Sequence, residues 1–242
     1  MKPAGPDGYG SRIIAFVLAP LLFPQSRVVL SHLPVLDEAQ GKWKGMIEGP
    51  DPVRLLVFGD STAAGVGVDE QADGLAVAVA TEVAARLGRG VTWKVIARSG
   101  ATTGELRTFF LPRARRGSWD LIVLSTGVND VMHLRRKGQF ANDLGFILDG
   151  LHESSPDAII LLPGIPRMDR FDSLPDPLST ILGARAHRLN VGARDVVKHR
   201  RYVVHTKPWP IGTPGFFARD DFHPSKIGYA AWAKAAVTYW LR

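Results

Sequence analysis

Five short runs of nearly unbroken apolar residues, separated by longer stretches of helical period, leave few folds open to this chain. The runs are Val53 to Phe58, Val91 to Ala97, Leu121 to Ser125, Ala158 to Leu162 and Tyr202 to His205. A strand wetted on one face alternates polar with apolar side chains, whereas a strand covered on both faces is apolar throughout, as in parallel sheets. The intervening segments read as helices at Ala72 to Leu87, Thr103 to Phe110 and Phe140 to His152. In the next, Leu182, Ala186, Leu189, Ala193 and Val196 recur at steps of three and four, while Arg185, Arg188, Arg194 and Lys198 take the other side. The last helix runs from Ser225, a plausible N-cap, to Trp240. Strand and helix in alternation predict an α/β fold: a flavodoxin-like three-layer sandwich with a five-stranded parallel sheet and helices on both faces.

The length of 242 residues and the 45% hydrophobic share fit one sizeable core, a single domain over 51–242, preceded by an N-terminal extension over 1–50. The net charge of +7 sits in scattered clusters at Arg113, Arg115 and Arg116, at Arg135, Arg136 and Lys137, and at Lys198, Arg200 and Arg201. Without a recognition motif these read as solvated surface, so no nucleic-acid partner is expected. Cysteine is missing from the sequence, which excludes disulfides and thiolate chemistry and leaves the compartment open. Residues 13 to 23, IIAFVLAPLLF, form an apolar run interrupted by Pro20 and shorter than the roughly 18 to 20 residues a spanning helix needs. No small-x-small cleavage site follows it. The expectation is a helix packed on the domain or lying on a membrane surface, in a cytoplasmic protein, with export as the alternative.

Ligands of doubly wound sheets bind outside the carboxyl ends of the strands. After the first run comes Gly59-Asp60-Ser61-Thr62-Ala63-Ala64-Gly65-Val66-Gly67; after the second, Arg98-Ser99-Gly100-Ala101-Thr102; after the third, Thr126-Gly127-Val128-Asn129-Asp130. A fourth block, Asp220-Asp221-Phe222-His223-Pro224-Ser225, lies between the last strand and the last helix. Taken singly, each has a plain structural reading: an Asx-capped turn at Asp60, a glycine turn at Gly100, a helix cap at Asn129, a loop before a helix at 220–224. Together they place a serine, an imidazole and an acid, Asp220 or its neighbour Asp221, at one mouth. A serine hydroxyl becomes a nucleophile when a base takes its proton and a third group orients that base.

These four blocks resemble those of the SGNH hydrolase superfamily, the GDSL-type esterases and lipases, over the stretch from about residue 53 onward. The resemblance implies that Ser61 is the nucleophile, His223 the base and Asp220 the acid. It also implies an oxyanion hole made by the Ser61 and Gly100 backbone N–H groups and the Asn129 amide. The chain departs from the family pattern at Thr62, where the name-giving leucine would stand, and in the Ser-Gly-Ala-Thr-Thr of its second block; neither removes a catalytic group. The implied activity is serine carboxylester hydrolysis on short to medium acyl esters, through an acyl-enzyme. A deacetylase of acylated carbohydrate, a thioesterase or an acyltransferase would use the same triad, and a membrane-surface binding module is the reading outside enzymology.

Other motifs fail. A calcium-loop pattern at Asp69, Gln71, Asp73 and Gly74 reaches Ala80 where a bidentate carboxylate is required, and neither a phosphate loop nor an HExxH zinc pattern occurs. No cofactor or metal is expected, and the partner is a small-molecule ester. The segments 163–171 and 209–217 should border the mouth, with apolar residues for an acyl group or for rim packing, and with Arg167 and Arg170 for an acidic one.

Overall fold

The computed structural model describes residues 35–242. The apolar stretch at 13–23, with its expected helix and membrane contact, lies outside the described residues.

Six strands form one sheet: β1 (Lys44–Ile47), β2 (Val53–Gly59), β3 (Val91–Ala97), β4 (Leu121–Ser125), β5 (Ile159–Pro163) and β6 (Val203–Thr206), in the order β1-β3-β2-β4-β5-β6. The five apolar runs are β2 to β6, all parallel. The expected count of five is corrected by β1, which pairs antiparallel with β3 at the sheet edge and draws residues ahead of position 51 into the sheet. Its sequence, KGMI, is short, mostly exposed and carries Lys44 opposite Lys94, so it has neither the apolar run nor the alternation that marks a strand.

The centre of the sheet is β2, where Leu55, Leu56, Val57 and Phe58 are all 0% exposed, with both faces covered. Truncating such a leucine to alanine typically costs about 2–5 kcal/mol. The chain leaves β2 toward β3 on one side and later returns to β4 on the other. This reversal opens a crevice at the carboxyl end of β2, the point where open α/β sheets bind ligands.

Helices α1 (Leu75–Leu87), α5 (Lys137–Ser154), α6 (Leu178–Val197) and α7 (Lys226–Trp240) cover the sheet. In α1 the buried Leu75, Ala76, Val79, Ala80 and Val83 follow helical spacing. The helix expected from Ala72 is split at Gly74, with a short turn at Gln71–Asp73 ahead of it. Ser225 caps α7 by accepting from the Gly228 N–H at 3.2 Å. After β3, α2 (Thr103–Glu105) passes through a wide turn at Leu106–Phe110 into α3 (Leu111–Ala114), four residues beyond the expected end. The short α4 (Val128–Met132) follows β4. Among the described residues no helix is long and apolar enough to cross a membrane.

Candidate active site

Ser61 owes its place to the glycine two residues before it. A Cβ on Gly59 would lie 2.0 Å from the Ser125 carbonyl oxygen, so only glycine lets β2 end this close to β4. The next residue, Asp60, makes the Asx turn expected of it, its Oδ1 accepting from the Thr62 N–H at 3.2 Å, and also accepts from Ser125 Oγ at 2.9 Å. Asp60 is 2% exposed, and burial pushes its carboxyl up to about 6 against the pull of those two hydrogen bonds. One acid thus ties the turn that carries Ser61 to the end of the neighbouring strand.

His223 Nε2 stands 3.0 Å from Ser61 Oγ, and His223 Nδ1 stands 2.6 Å from Asp220 Oδ2. The other carboxylate oxygen of Asp220 accepts from the N–H groups of Phe222 at 3.0 Å and His223 at 2.9 Å. Burial raises the Asp220 carboxyl, but the bonds from the His223 ring and these backbone donors outweigh it and hold the group below the usual carboxylate range. An ionised Asp220 therefore accepts a hydrogen bond from Nδ1–H and keeps that proton on Nδ1, which leaves Nε2 as acceptor for the serine hydroxyl. Asp221 is exposed, sits at φ +50°, and directs its backbone N–H to Ala218 O. It is Asp220, not its neighbour, whose carboxylate meets the histidine.

The loop carrying this pair is fastened by aromatic rings. Phe171, from the segment after β5, lies edge-on to Phe217 at 5.0 Å and to Phe222 at 5.4 Å and packs on Trp209 at 6.5 Å, while Phe222 meets the His223 ring at 5.2 Å. Phe171, Trp209 and Phe216 are buried. Of the two uses the sequence left open for these residues, they serve packing. Arg167 is likewise engaged, in an ion pair with Asp169.

Gly100 and Asn129 lie on the loops beyond β3 and β4. Asn129 Nδ2 donates to Ala101 O at 3.0 Å, which joins the two loops and leaves the second amide hydrogen available. The backbone N–H groups of Ser61 and Gly100 find no acceptor among the described residues. Gly100 has φ +77°, and apart from its chain neighbours no atom of the described residues lies within 4 Å of where its Cβ would be, so its glycine answers to the backbone angle and not to crowding.

Sequence reasoning passed over the buried group beneath these loops. Asp130, 0% exposed, accepts through Oδ2 from the Thr103 N–H at 2.9 Å and from Thr103 Oγ1 at 2.7 Å. Because the single Thr103 hydroxyl proton goes to Asp130, Thr126 Oγ1 donates in the 2.7 Å contact between the two threonines. Arg135 approaches the other oxygen of Asp130 at 3.4 Å, as a charge without a formed hydrogen bond. Burial raises the Asp130 carboxyl despite the bonds from Thr103. An Asn-Asp pair shortly after an apolar strand was the available signal, and it reads equally well as a helix cap.

A cavity of about 410 Å³ lies beside the histidine loop, lined by Leu36, Asp37, Glu38, Gln40, Gly67, Asp69 and Arg219 among others. A Cβ on Gly67, in its wall, would be 3.2 Å from His223 Cβ. A second cavity, of about 520 Å³, lies away from the site at the β1 edge, between Lys42, Lys44, Trp93 and Trp119. Neither is lined by Ser61, Asn129 or His223.

Comparison with known proteins adds a family pattern. The pattern of the GDSL-like lipase/acylhydrolase family matches residues 57–231. A curated relative, the GDSL-like esterase Rv1075c of Mycobacterium tuberculosis, is 28% identical over 197 residues, which cover 76% of this chain and 60% of the relative. The chain thus spans less than two thirds of that relative's length. Among solved structures, the lipase Lip_vut3 from a goat rumen metagenome superposes with a TM-score of 0.64 at 16% identity, over 77% of this chain and 97% of the other. An active-site mutant of a family two carbohydrate esterase from Clostridium thermocellum does so with a TM-score of 0.57 at 17% identity, over 78% of this chain and 64% of the other. At such identities these two likenesses speak for the fold.

Proposed function

The chain belongs to the GDSL-like lipase/acylhydrolase family, and from that premise we propose that it is a serine carboxylester hydrolase working through an acyl-enzyme on short to medium acyl esters. The observation that carries the proposal is the unbroken line from Ser61 Oγ to His223 Nε2 at 3.0 Å, and from His223 Nδ1 to the buried Asp220 at 2.6 Å.

In the proposed reaction His223 Nε2 takes the Ser61 proton as Oγ bonds to the ester carbonyl carbon. Asp220 holds the ring by Nδ1–H and stabilises the imidazolium that forms. Negative charge then develops on the former carbonyl oxygen, where the Ser61 N–H, the Gly100 N–H and the remaining Asn129 amide hydrogen are free to donate. The C–O bond to the alcohol breaks, and the alcohol leaves with the proton from Nε2. Water then gives a proton to His223 Nε2 as its oxygen bonds to the acyl carbon; the bond from that carbon to Ser61 Oγ breaks, Oγ takes the proton back from Nε2, and the acid leaves.

The rim bears on the acyl length. Phe171, Trp209 and Phe216, aromatic residues of the two segments expected to border the mouth, are buried against one another. That favours a short acyl group over a fatty chain. Hydrolysis of p-nitrophenyl esters from acetate to palmitate, by the wild-type chain and by Ser61→Ala, tests this. The expected outcome is a rate falling beyond medium chain lengths and a loss of about 10³ or more in the variant. Equal rates in the two proteins would refute the nucleophile, and a palmitate optimum would refute the short acyl group.

One observation favours a second reading of the alcohol side. The cavity beside the histidine loop offers Asp37, Gln40, Asp69 and Arg219, groups that hydrogen-bond hydroxyls, so an acylated carbohydrate fits there as well as a simple ester. Release of acetate from acetylated xylan faster than from p-nitrophenyl acetate, at equal ester concentration, would select that reading.

A further inference from the structure

The backbone donors of the loop after β3 are satisfied one by one, with a single exception. The Arg98 N–H goes to Gly59 O at 3.2 Å, the Ser99 N–H to Glu38 Oε1 at 2.6 Å, the Ala101 N–H to Arg98 O at 3.2 Å and the Thr102 N–H to Glu105 Oε2 at 2.9 Å. Only the Gly100 N–H lacks an acceptor among the described residues. Three of the acceptors belong to the loop, its following helix or the adjoining strand β2. The fourth, Glu38, comes from the segment ahead of β1, 61 residues away in sequence.

Glu38 is itself anchored. The next residue, Ala39, is 2% exposed and donates its N–H to Ala64 O at 3.2 Å, on the loop that carries Ser61. The Gln40 N–H donates to Asp69 O at 2.8 Å, and the Gln71 N–H to Gln40 O at 2.9 Å. Glu38 therefore links the serine's loop to the Gly100 loop. The peptide plane between Ser99 and Gly100 turns about two angles, one of them at a glycine with φ +77°. On its far side it is clamped by the Asn129 bond to Ala101 O. On its near side the carboxylate of Glu38 grips Ser99, in a charge-assisted bond of the stronger kind.

We infer that Glu38 is a positioning residue: it locks the Ser99–Gly100 peptide so that the one free N–H of the loop is held for the oxyanion, at a fixed offset from Ser61. The inference rests on the ester-hydrolase reading of Ser61. An oxyanion donor that must be reoriented in the transition state loses part of its effect on turnover while leaving ground-state binding alone.

The test uses the full chain, p-nitrophenyl acetate and a trifluoromethyl ketone that forms a tetrahedral adduct with serine. Glu38→Ala should lower kcat about tenfold, a fraction of the 10² to 10³ that a lost donor typically costs, with KM within about twofold. The Ki of the ketone should rise by the same factor as kcat falls. Glu38→Gln keeps an oxygen acceptor and should retain kcat within about threefold. Turnover by Glu38→Ala at the wild-type rate overturns the inference, as does equal impairment of the two variants. A fall in kcat with an unchanged ketone Ki, accompanied by a lower Tm, also overturns it, because that marks a merely structural role. A wild-type chain without Ser61-dependent esterase activity sinks the function reading and this inference together. An active wild type with an unimpaired Glu38→Ala sinks this inference alone.

Discussion

Replacing Asp60 by asparagine should make the protein more stable at pH 8 than at pH 4.5 relative to wild type, by an amount that the burial of Asp60 sets. Asn keeps the oxygen that accepts from the Thr62 N–H and from Ser125 Oγ, and removes only the ionisation. Burial raises the Asp60 carboxyl from 3.8 to about 6. Between those values the folded chain keeps a proton that the unfolded chain has lost, so wild-type stability falls as pH rises through that window and then levels off. Each pH unit well inside the window is worth about 1.4 kcal/mol, and from pH 4.5 to 8 the sum is about 2 kcal/mol. For a domain of this size that is a relative shift of about 4–8 °C in Tm. The assay is thermal unfolding of both proteins by circular dichroism at the two pH values. Groups common to both cancel in the double difference. If the Tm gap between the variants is the same at pH 4.5 and pH 8, Asp60 is an ordinary carboxylate and the burial argument is refuted.

Four further outcomes follow from the site. Asn129→Ala should lower kcat by about 10² to 10³, and a loss below about tenfold removes it from the oxyanion hole. Asp220→Ala should lower kcat by about 10² or more while Asp221→Ala stays within about threefold, and the reverse order in steady-state kinetics would move the acid to Asp221. Gly59→Ala, whose Cβ would meet Ser125 O at 2.0 Å, should cost about 3 kcal/mol or more in urea unfolding; a change under about 1 kcal/mol would mean that the strand ends can part. Phe171→Ala should cost about 3–5 kcal/mol and lower kcat by loosening the loop of His223, so a variant that melts early yet turns over normally would separate the aromatic cluster from catalysis.

The sequence disclosed these features unevenly, and for physical reasons. The parallel strands β2 to β6 were legible because coverage on both faces demands an uninterrupted apolar run. The strand β1 was not, since an exposed edge of four residues with lysines facing each other makes no such demand. Asp220 and His223 could be paired on paper because they lie three residues apart and the contact between them is local. Asp130 with Thr103, or Glu38 with Ser99, could not, because the partners come together only when separate loops meet at the carboxyl edge of the sheet. The aromatic residues at 171, 209 and 216 were ambiguous for another reason. Composition tells that they will be buried, but not whether against a substrate or against each other.

The last helix gives the molecule a top and a base. Its first turn lies by the mouth, where Lys226 pairs with Asp73 at 2.8 Å, and its last turn lies by the end of α1, where Thr238 accepts from Arg86 at 2.8 Å. Fifteen residues of helix separate the two levels by about 22 Å. Residue 38, by contrast, sits at the upper level against Ser99. A handle joined at residue 242 would therefore hold the molecule by its base on a bead or sensor chip, with the catalytic mouth turned to the solution.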